Sequence, residues 1–238
     1  MSDLVYPPVI AAAKLMFRVL DLRITVKGAH HVPREGGAVL ASNHVSYLDF
    51  IFGGYGALQS GRLTRFMAKH EIFANKIAGP LMRGMHHIPV DRSAGQASYQ
   101  QALSALRGGE VVGIFPEATI SQSFTVKDIK SGANRLAHEA GVPLVPVALW
   151  GTQRLWTKGR KKDLTQRHVP VTILIGEPFE ASPGDSGDEL LRERMQDLLD
   201  TAQADYPNEP GAWWVPRHLG GTAPTPEEAA RLDARRPE

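Results

Sequence analysis

The chain has 238 residues, 42% hydrophobic and 22% charged, which is enough for one sizeable core and unlike a disordered composition. With 0 cysteines, disulfides, thiolate catalysis and cysteine-ligated zinc or iron–sulfur sites are excluded. The formal net charge of +2 is too small and diffuse to indicate nucleic acid; it suits an anionic small molecule or an anionic membrane surface.

VYPPVIAAAKLMFRVLDL (5–22) predicts an amphipathic helix opened by Pro7-Pro8, with Leu15, Met16, Val19 and Leu20 at helical spacing beside Lys14 and Arg18. It reads either as a surface helix packed on the body or as a helix lying in the bilayer interface. No stretch reaches the length of an apolar span, and the N-terminus lacks the features of a signal peptide.

RITVKG (23–28) and AVLASN (38–43) predict strands, and LDFIFGGYGAL (48–58) a helix. RFMAKHEIF (65–73) begins as a strand and turns into a loop or helix. HHIPVDR (86–92) reads as a short strand and SYQQALSALRGGE (98–110) as a helix with Ala102, Leu103 and Leu106 inward. VVGIFPE (111–117) is a strand, SGANRLAHEAG (131–141) a helix, and VPLVPVALWG (142–151) and VPVTILIGEP (169–178) are strands. DELLRERMQDLLDTAQA (188–204) predicts the clearest helix, with Leu190, Leu191, Met195, Leu198, Leu199 and Ala202 in one stripe and Ser186 or Asp188 as its cap. The tail is rich in Pro, Gly and charge; Trp213 and Trp214 can pin its first part to the body or to a membrane interface, and its last dozen residues are expected to be disordered.

This alternation predicts one α/β domain with a mostly parallel central sheet flanked by helices, over 23–205, between the N-terminal amphipathic helix (1–22) and the tail (206–238). In such sheets functional residues gather at the carboxyl ends of strands. Asn43-His44, Asp91-Arg92 and Pro116-Glu117 all fall there.

His44 and Asp49 can form a base and its orienting carboxylate. On an ideal helix, residues five apart lie about 140° apart around the axis. The two therefore meet only if His44 occupies the turn before the helix and Asp49 reaches back. The alternative is a histidine ending a strand and an aspartate satisfying a nearby N–H. A serine elbow is absent, and GDSG (184–187) reads as a loop before the last helix. His86-His87 on a strand would point to opposite faces, as would His30-His31 if extended, so neither pair suits one metal ion. What remains is a histidine acting directly on a hydroxyl or water.

NHVSYLD (43–49), IPVDR (88–92), FPEATIS (115–121) and VPLVPV (142–147) resemble, in order, the four motifs of the 1-acyl-sn-glycerol-3-phosphate acyltransferase family. FMAKHEIF (66–73) and IKSGANRLA (129–137) are similar to two further segments, and the resemblance runs from about residue 23 to 178. It implies that His44 is the general base on an acceptor hydroxyl, which attacks an acyl-CoA or acyl carrier protein thioester, and that Asp49 orients the imidazole. It further implies that Arg92 and Glu117 bind a glycerol phosphate acceptor with Thr119 nearby, and Lys130, Asn43 and Asp91 are grouped with them as substrate-binding residues. Asn43 is also expected to help form the turn.

The third motif departs from the family pattern: Ala118 replaces glycine and Ile120 replaces arginine, which removes one phosphate-binding charge; Lys130, Lys127 and Arg83 are the candidates to substitute for it. Pro89 stands where the second motif usually has an aromatic. RLWTKGRKKDLTQRH (154–168) gathers Arg154, Lys158, Arg160, Lys161, Lys162 and Arg167 around Asp163. It reads as a solvated loop or as a patch for coenzyme A phosphates or anionic headgroups, with Trp156 placed to insert at an interface or stack on adenine.

The resemblance thus implies a peripheral or monotopic enzyme at the cytoplasmic membrane face, without cofactor or metal, with lysophospholipid and acyl-thioester substrates and no nucleic-acid partner. A different lipid acceptor, an acyl-thioesterase and a catalytically silent lipid-surface protein are the alternatives.

Overall fold

A computed structural model describes residues 3–91, 95–182 and 184–235. Its elements are α1 (Tyr6–Val19), β1 (Arg23–Lys27), β2 (Ala38–Ser42), α2 (Asp49–Leu58), β3 (Thr64–Lys69), α3 (His70–Ala74), α4 (Ala78–Gly84), β4 (Ile88–Val90), α5 (Gly95–Arg107), β5 (Val111–Ile114), α6 (Gly132–Ala140), β6 (Leu144–Trp150), β7 (Pro170–Ile175), α7 (Asp185–Ala204) and α8 (Pro226–Arg235). The strands form one 7-stranded sheet ordered β1-β7-β6-β2-β5-β3-β4. Every neighbouring pair is parallel except β6–β7. This is the expected α/β domain with a mostly parallel sheet flanked by helices.

The unbroken apolar run of β2 follows from burial on both faces. Val39 and Ala41 pack into the core shared with Leu103 of α5, Leu136 of α6 and Leu191 and Met195 of α7. Ala38 and Leu40 face the opposite core, with Phe17 of α1 and Phe52 of α2. Strands β2, β3, β4, β5 and β6 run in one direction, so their carboxyl ends lie along one rim. Ala41 is level with Ile114, and Ser42 with Val147. The chain therefore leaves β2 and β5 side by side, which brings the first and third motifs together.

Several expectations change. Phe17 of α1 and its C-cap residue Leu20 are buried, whereas Leu15 and Val19 face outward with Arg18. The helix is anchored by Phe17, which stacks on Phe52 at 5.1 Å. His86 and His87 precede β4 and so are not on a strand, and His30-His31 lie in a 3₁₀ turn. No group of three or more potential metal-ligating residues occurs among the described residues. Helix α7 starts at Asp185, so GDSG opens the helix and no side chain from Ser186 or Asp188 caps it.

Disorder was expected at the end of the tail, yet α8 forms there. Its start is a reciprocal capping box: Thr225 N–H donates to Glu228 Oε2 at 2.9 Å, and Glu228 N–H donates to Thr225 Oγ1 at 3.2 Å. Arg217 adds two bonds to the same carboxylate. Among the described residues no helix is long and apolar enough to cross a membrane.

Candidate active site

His44 lies in the turn between β2 and α2, and Asp49 is the first residue of α2. The carboxylate reaches back as the spacing requires. Its Oδ2 accepts from His44 Nδ1 at 3.0 Å and from the backbone N–H groups of Val45 and Ser46, each at 2.7 Å. Its Oδ1 accepts from Thr152 Oγ1 at 2.6 Å. Asp49 is fully buried, while the His44 side chain remains 20% exposed. A buried carboxylate on Nδ1 fixes the tautomer and leaves Nε2 as the nitrogen able to take a proton. Phe115 stacks on the imidazole at 4.3 Å and on Phe66 at 5.8 Å, walling one side with apolar surface. Gly113 permits this wall, because a Cβ there would lie 2.5 Å from the Phe66 ring.

The third motif wraps the main chain of His44. Glu117 Oε1 accepts His44 N–H at 2.8 Å, and Ser121 N–H donates to His44 C=O at 2.7 Å. Glu117 Oε2 accepts Lys127 N–H at 3.0 Å. Burial pushes the Glu117 carboxyl up to about 8, against the lowering effect of those two backbone donors. Ala118 sits in the left-handed region at φ 61°, which explains why glycine is the usual occupant. Ile120 is buried and brings no charge to the motif. Lys127 brings an ammonium beside it, donating to Thr119 Oγ1 at 2.6 Å and pairing with Asp233 at 2.7 Å.

The other predicted residues separate. Asn43 is buried and directed at β6, donating to Leu149 C=O at 3.0 Å and accepting Leu149 N–H at 2.7 Å. It thus extends the β2–β6 pairing into the turn. Glu117 likewise has both oxygens engaged by backbone donors in this structure. Thr119 is half-buried beside Lys127, and Asp91 is half-buried after β4. The Lys130 side chain is exposed, and its N–H donates to Pro116 C=O. Arg83 donates to Phe73 C=O at 2.6 Å, closing α3. Arg92 lies outside the described residues.

The basic loop is clamped to the His44 turn. Ser46 Oγ and Tyr47 N–H both donate to Trp156 C=O, and Thr157 Oγ1 donates to Val45 C=O at 2.6 Å. Several of its cations hold the tail: Arg154 lies over Trp214 and Arg160 over Trp213, each at 4.5 Å. Trp214 is buried against the body. Trp156 stays exposed, paired with Tyr47 at 4.8 Å. Sequence reasoning missed Thr152, although it follows β6, the strand next to β2. It also missed Lys158 pairing with Asp233, for which sequence carries no local signal.

Residues 23–150 match the acyltransferase family. The chain is 34% identical over 167 residues to the 1-acyl-sn-glycerol-3-phosphate acyltransferase of Bacillus subtilis (strain 168), covering 68% of this chain and 77% of that protein. It is 29% identical over 182 residues to a chloroplastic 1-acyl-sn-glycerol-3-phosphate acyltransferase of Arabidopsis thaliana, covering 75% of this chain and 49% of the relative. The chain spans about half the length of this and similar plant relatives. The crystal structure of the 1-acyl-sn-glycerophosphate acyltransferase PlsC from Thermotoga maritima shares the fold, with a TM-score of 0.69 at 23% identity over 85% of this chain and 81% of that one. The matched span contains the His44–Asp49 pair and the strands that present it, and the chain belongs to the 1-acyl-sn-glycerol-3-phosphate acyltransferase family.

Proposed function

We propose that the protein is an O-acyltransferase that moves a fatty acyl chain from an acyl-CoA or acyl carrier protein thioester to the sn-2 hydroxyl of 1-acyl-glycerol-3-phosphate, giving phosphatidic acid. The observation that carries this reading is the His44 Nδ1–Asp49 Oδ2 bond at 3.0 Å, with Asp49 wholly buried and His44 partly open. Nε2 takes the proton of the acceptor hydroxyl as its oxygen attacks the thioester carbonyl. The carbonyl is restored as the C–S bond breaks, and the thiolate leaving group receives the proton. Asp49 stabilises the imidazolium formed in between, and no acyl-enzyme is needed. The apolar wall of Phe115 and Phe66 suits an acyl chain, and Lys127 with Thr119 provides a cation and a hydroxyl for the acceptor phosphate.

The enzyme works at a membrane surface in this reading, on the cytoplasmic face. Leu4, Leu15 and Val19 are exposed on and beside α1, and Lys14 and Arg18 are exposed with them. Acyl-CoA turnover with lysophosphatidate tests the assignment. His44→Ala is expected to lose about 10²- to 10⁴-fold in rate. A variant that transfers acyl groups at the wild-type rate refutes it.

A further inference from the structure

Helices α3 and α4 form a prong that the fold uses on one side only. Inward, Phe73 of α3, Met82 of α4 and Met85 pack with Tyr6 of α1 in a small core of their own. Outward, three large apolar side chains face solvent: Ile72 and Leu81 at 41% exposure each, and Ile77 at 79%. The prong is braced. Asn75 Oδ1 caps α4, accepting Ile77 N–H at 2.9 Å and Ala78 N–H at 3.0 Å. Arg83 ties α4 back to Phe73 C=O at 2.6 Å, and Gly79 lets the two helices close, since a Cβ there would lie 2.2 Å from the Phe73 carbonyl oxygen. The cap uses only the main chain of Ile77, so its side chain is held out in water by a rigid turn that gains nothing from its being apolar.

The prong continues the outer face of α1. Val5 seats against Gly84, where a Cβ would lie 2.5 Å from Val5 Cγ2, and this sets Leu4, 78% exposed, beside the end of α4. From there the exposed side of α1 runs on to Leu15 and Val19, with Lys14 and Arg18 among them. Lys76 is exposed next to Ile77 at the tip of the prong. Strand β3 ends at Lys69 on the rim that carries His44, and α3 starts at His70, so the prong stands at the same rim.

Protruding aliphatic side chains with cations beside them match the interface of an anionic bilayer. The alkyl groups enter the acyl region while the ammonium and guanidinium groups stay level with the phosphates. A twofold pairing of two copies would instead bring the same cations together. We propose that the α3–α4 prong is a second membrane anchor, whose Ile72, Ile77 and Leu81 enter an anionic phospholipid bilayer together with Leu4 and the exposed side of α1. This rests on the reading above that the enzyme works at a membrane surface. It adds that the contact extends to the rim beside His44, where a lipid acceptor would enter.

The test floats the full chain and its variants with vesicles of phosphatidylcholine and phosphatidylglycerol. Ile77→Glu is expected to weaken vesicle binding about tenfold or more, and Lys76→Gln about fivefold. With 0 cysteines in the chain, Ile77→Cys takes a single environment-sensitive dye. Its emission should shift to the blue on vesicles. The same dye at Glu193→Cys, exposed on α7 across the sheet from α1, should not shift. In Ile77→Glu, acylation of long-chain lysophosphatidate in vesicles should fall with binding, while acylation of a monomeric short-chain lysophosphatidate is retained. Wild-type vesicle binding by Ile77→Glu overturns the anchor, as does an unshifted dye at position 77; the dye decides alone if Ile77→Glu fails to fold. A wild-type dimer that Ile77→Glu splits while vesicle binding is kept also overturns it, and gives the face to a second copy. A wild type that shifts the dye but acylates neither acceptor removes the acyl-transfer reading alone, and the anchor stands.

Discussion

Thr152 holds Asp49 from the side opposite His44: its Oγ1 donates to Asp49 Oδ1 at 2.6 Å, while Oδ2 takes the imidazole. Both residues are fully buried, so neither carboxylate oxygen can turn to water if a partner is lost. Thr152→Val keeps the volume and removes the donor. We expect about 1–3 kcal/mol of lost stability from the unpaired buried acceptor. We also expect kcat to fall about tenfold with KM held, because the carboxylate that aims the imidazole is loosened. Urea denaturation and steady-state kinetics measure the two effects; a KM change without a kcat change would place Thr152 outside the positioning chain.

Asp49→Asn separates charge from geometry. The amide carbonyl can still accept from His44, Val45 and Ser46, and its NH₂ can turn to the Thr152 hydroxyl. The turn should therefore survive, with a melting temperature near wild type. What disappears is the negative charge that stabilises the imidazolium, and kcat should drop about 10²- to 10⁴-fold. Near-wild-type turnover would show that orientation alone suffices.

Ala118 occupies the left-handed region at φ 61°. For a residue with a Cβ this costs about 1–2 kcal/mol, and glycine returns about 0.4–1 kcal/mol of that through the freedom of its unfolded chain. Ala118→Gly should therefore raise stability by a few tenths to about 1 kcal/mol. Ala118→Val should lower it, since branching at Cβ worsens the strain. A lower urea midpoint for the glycine variant contradicts this account.

The sequence made the fold legible where one physical cause acted alone. The AVLAS run reads as a buried strand because both faces of β2 are covered, and the stripe on α7 is buried as its spacing requires. His44 and Asp49 were legible for the same reason: only one backbone path, a turn followed by a helix start, lets them meet. Roles that depend on distant partners were not. Asn43 and Glu117 are polar residues at strand ends, yet their side chains are engaged with Leu149 and with the backbone of His44 and Lys127. The basic loop reads as solvated or as an anion patch, because no local pattern reveals that Arg154 and Arg160 meet tryptophans more than 50 residues on, or that Lys158 meets Asp233.

His87 gives the fold a sensitivity to acid. Burial, reinforced by the nearby Arg65 charge, lowers its pKa to about 4, and its Nδ1 accepts Phe66 N–H at 3.0 Å, which requires that nitrogen to be unprotonated. The folded state binds fewer protons than the unfolded one between pH 6.5 and 4, so stability is lost as pH falls through that window. His87→Asn can keep an acceptor for Phe66 and should flatten the dependence. Melting temperatures from pH 7 to 4 check it; an equally steep fall in the variant assigns the acid sensitivity elsewhere.

Glu117 should show the opposite dependence. Its carboxyl is raised from 4.5 to about 8 by burial, so the folded state binds more protons than the unfolded one across that range. Its contribution is fully present below pH 4.5 and is lost as pH rises through about 8. Glu117→Gln keeps the shape but offers one carbonyl to two donors, the N–H groups of His44 and Lys127. At low pH the variant should be less stable by about 1–3 kcal/mol, the cost of an unpaired buried donor. As pH rises toward 9 the difference should narrow, because only the wild type takes on a buried charge. Urea denaturation of both proteins at pH 5, 7 and 9 decides the matter. A gap that widens with pH would mean that the two backbone donors outweigh burial and that the His44 turn rests on an ionised Glu117.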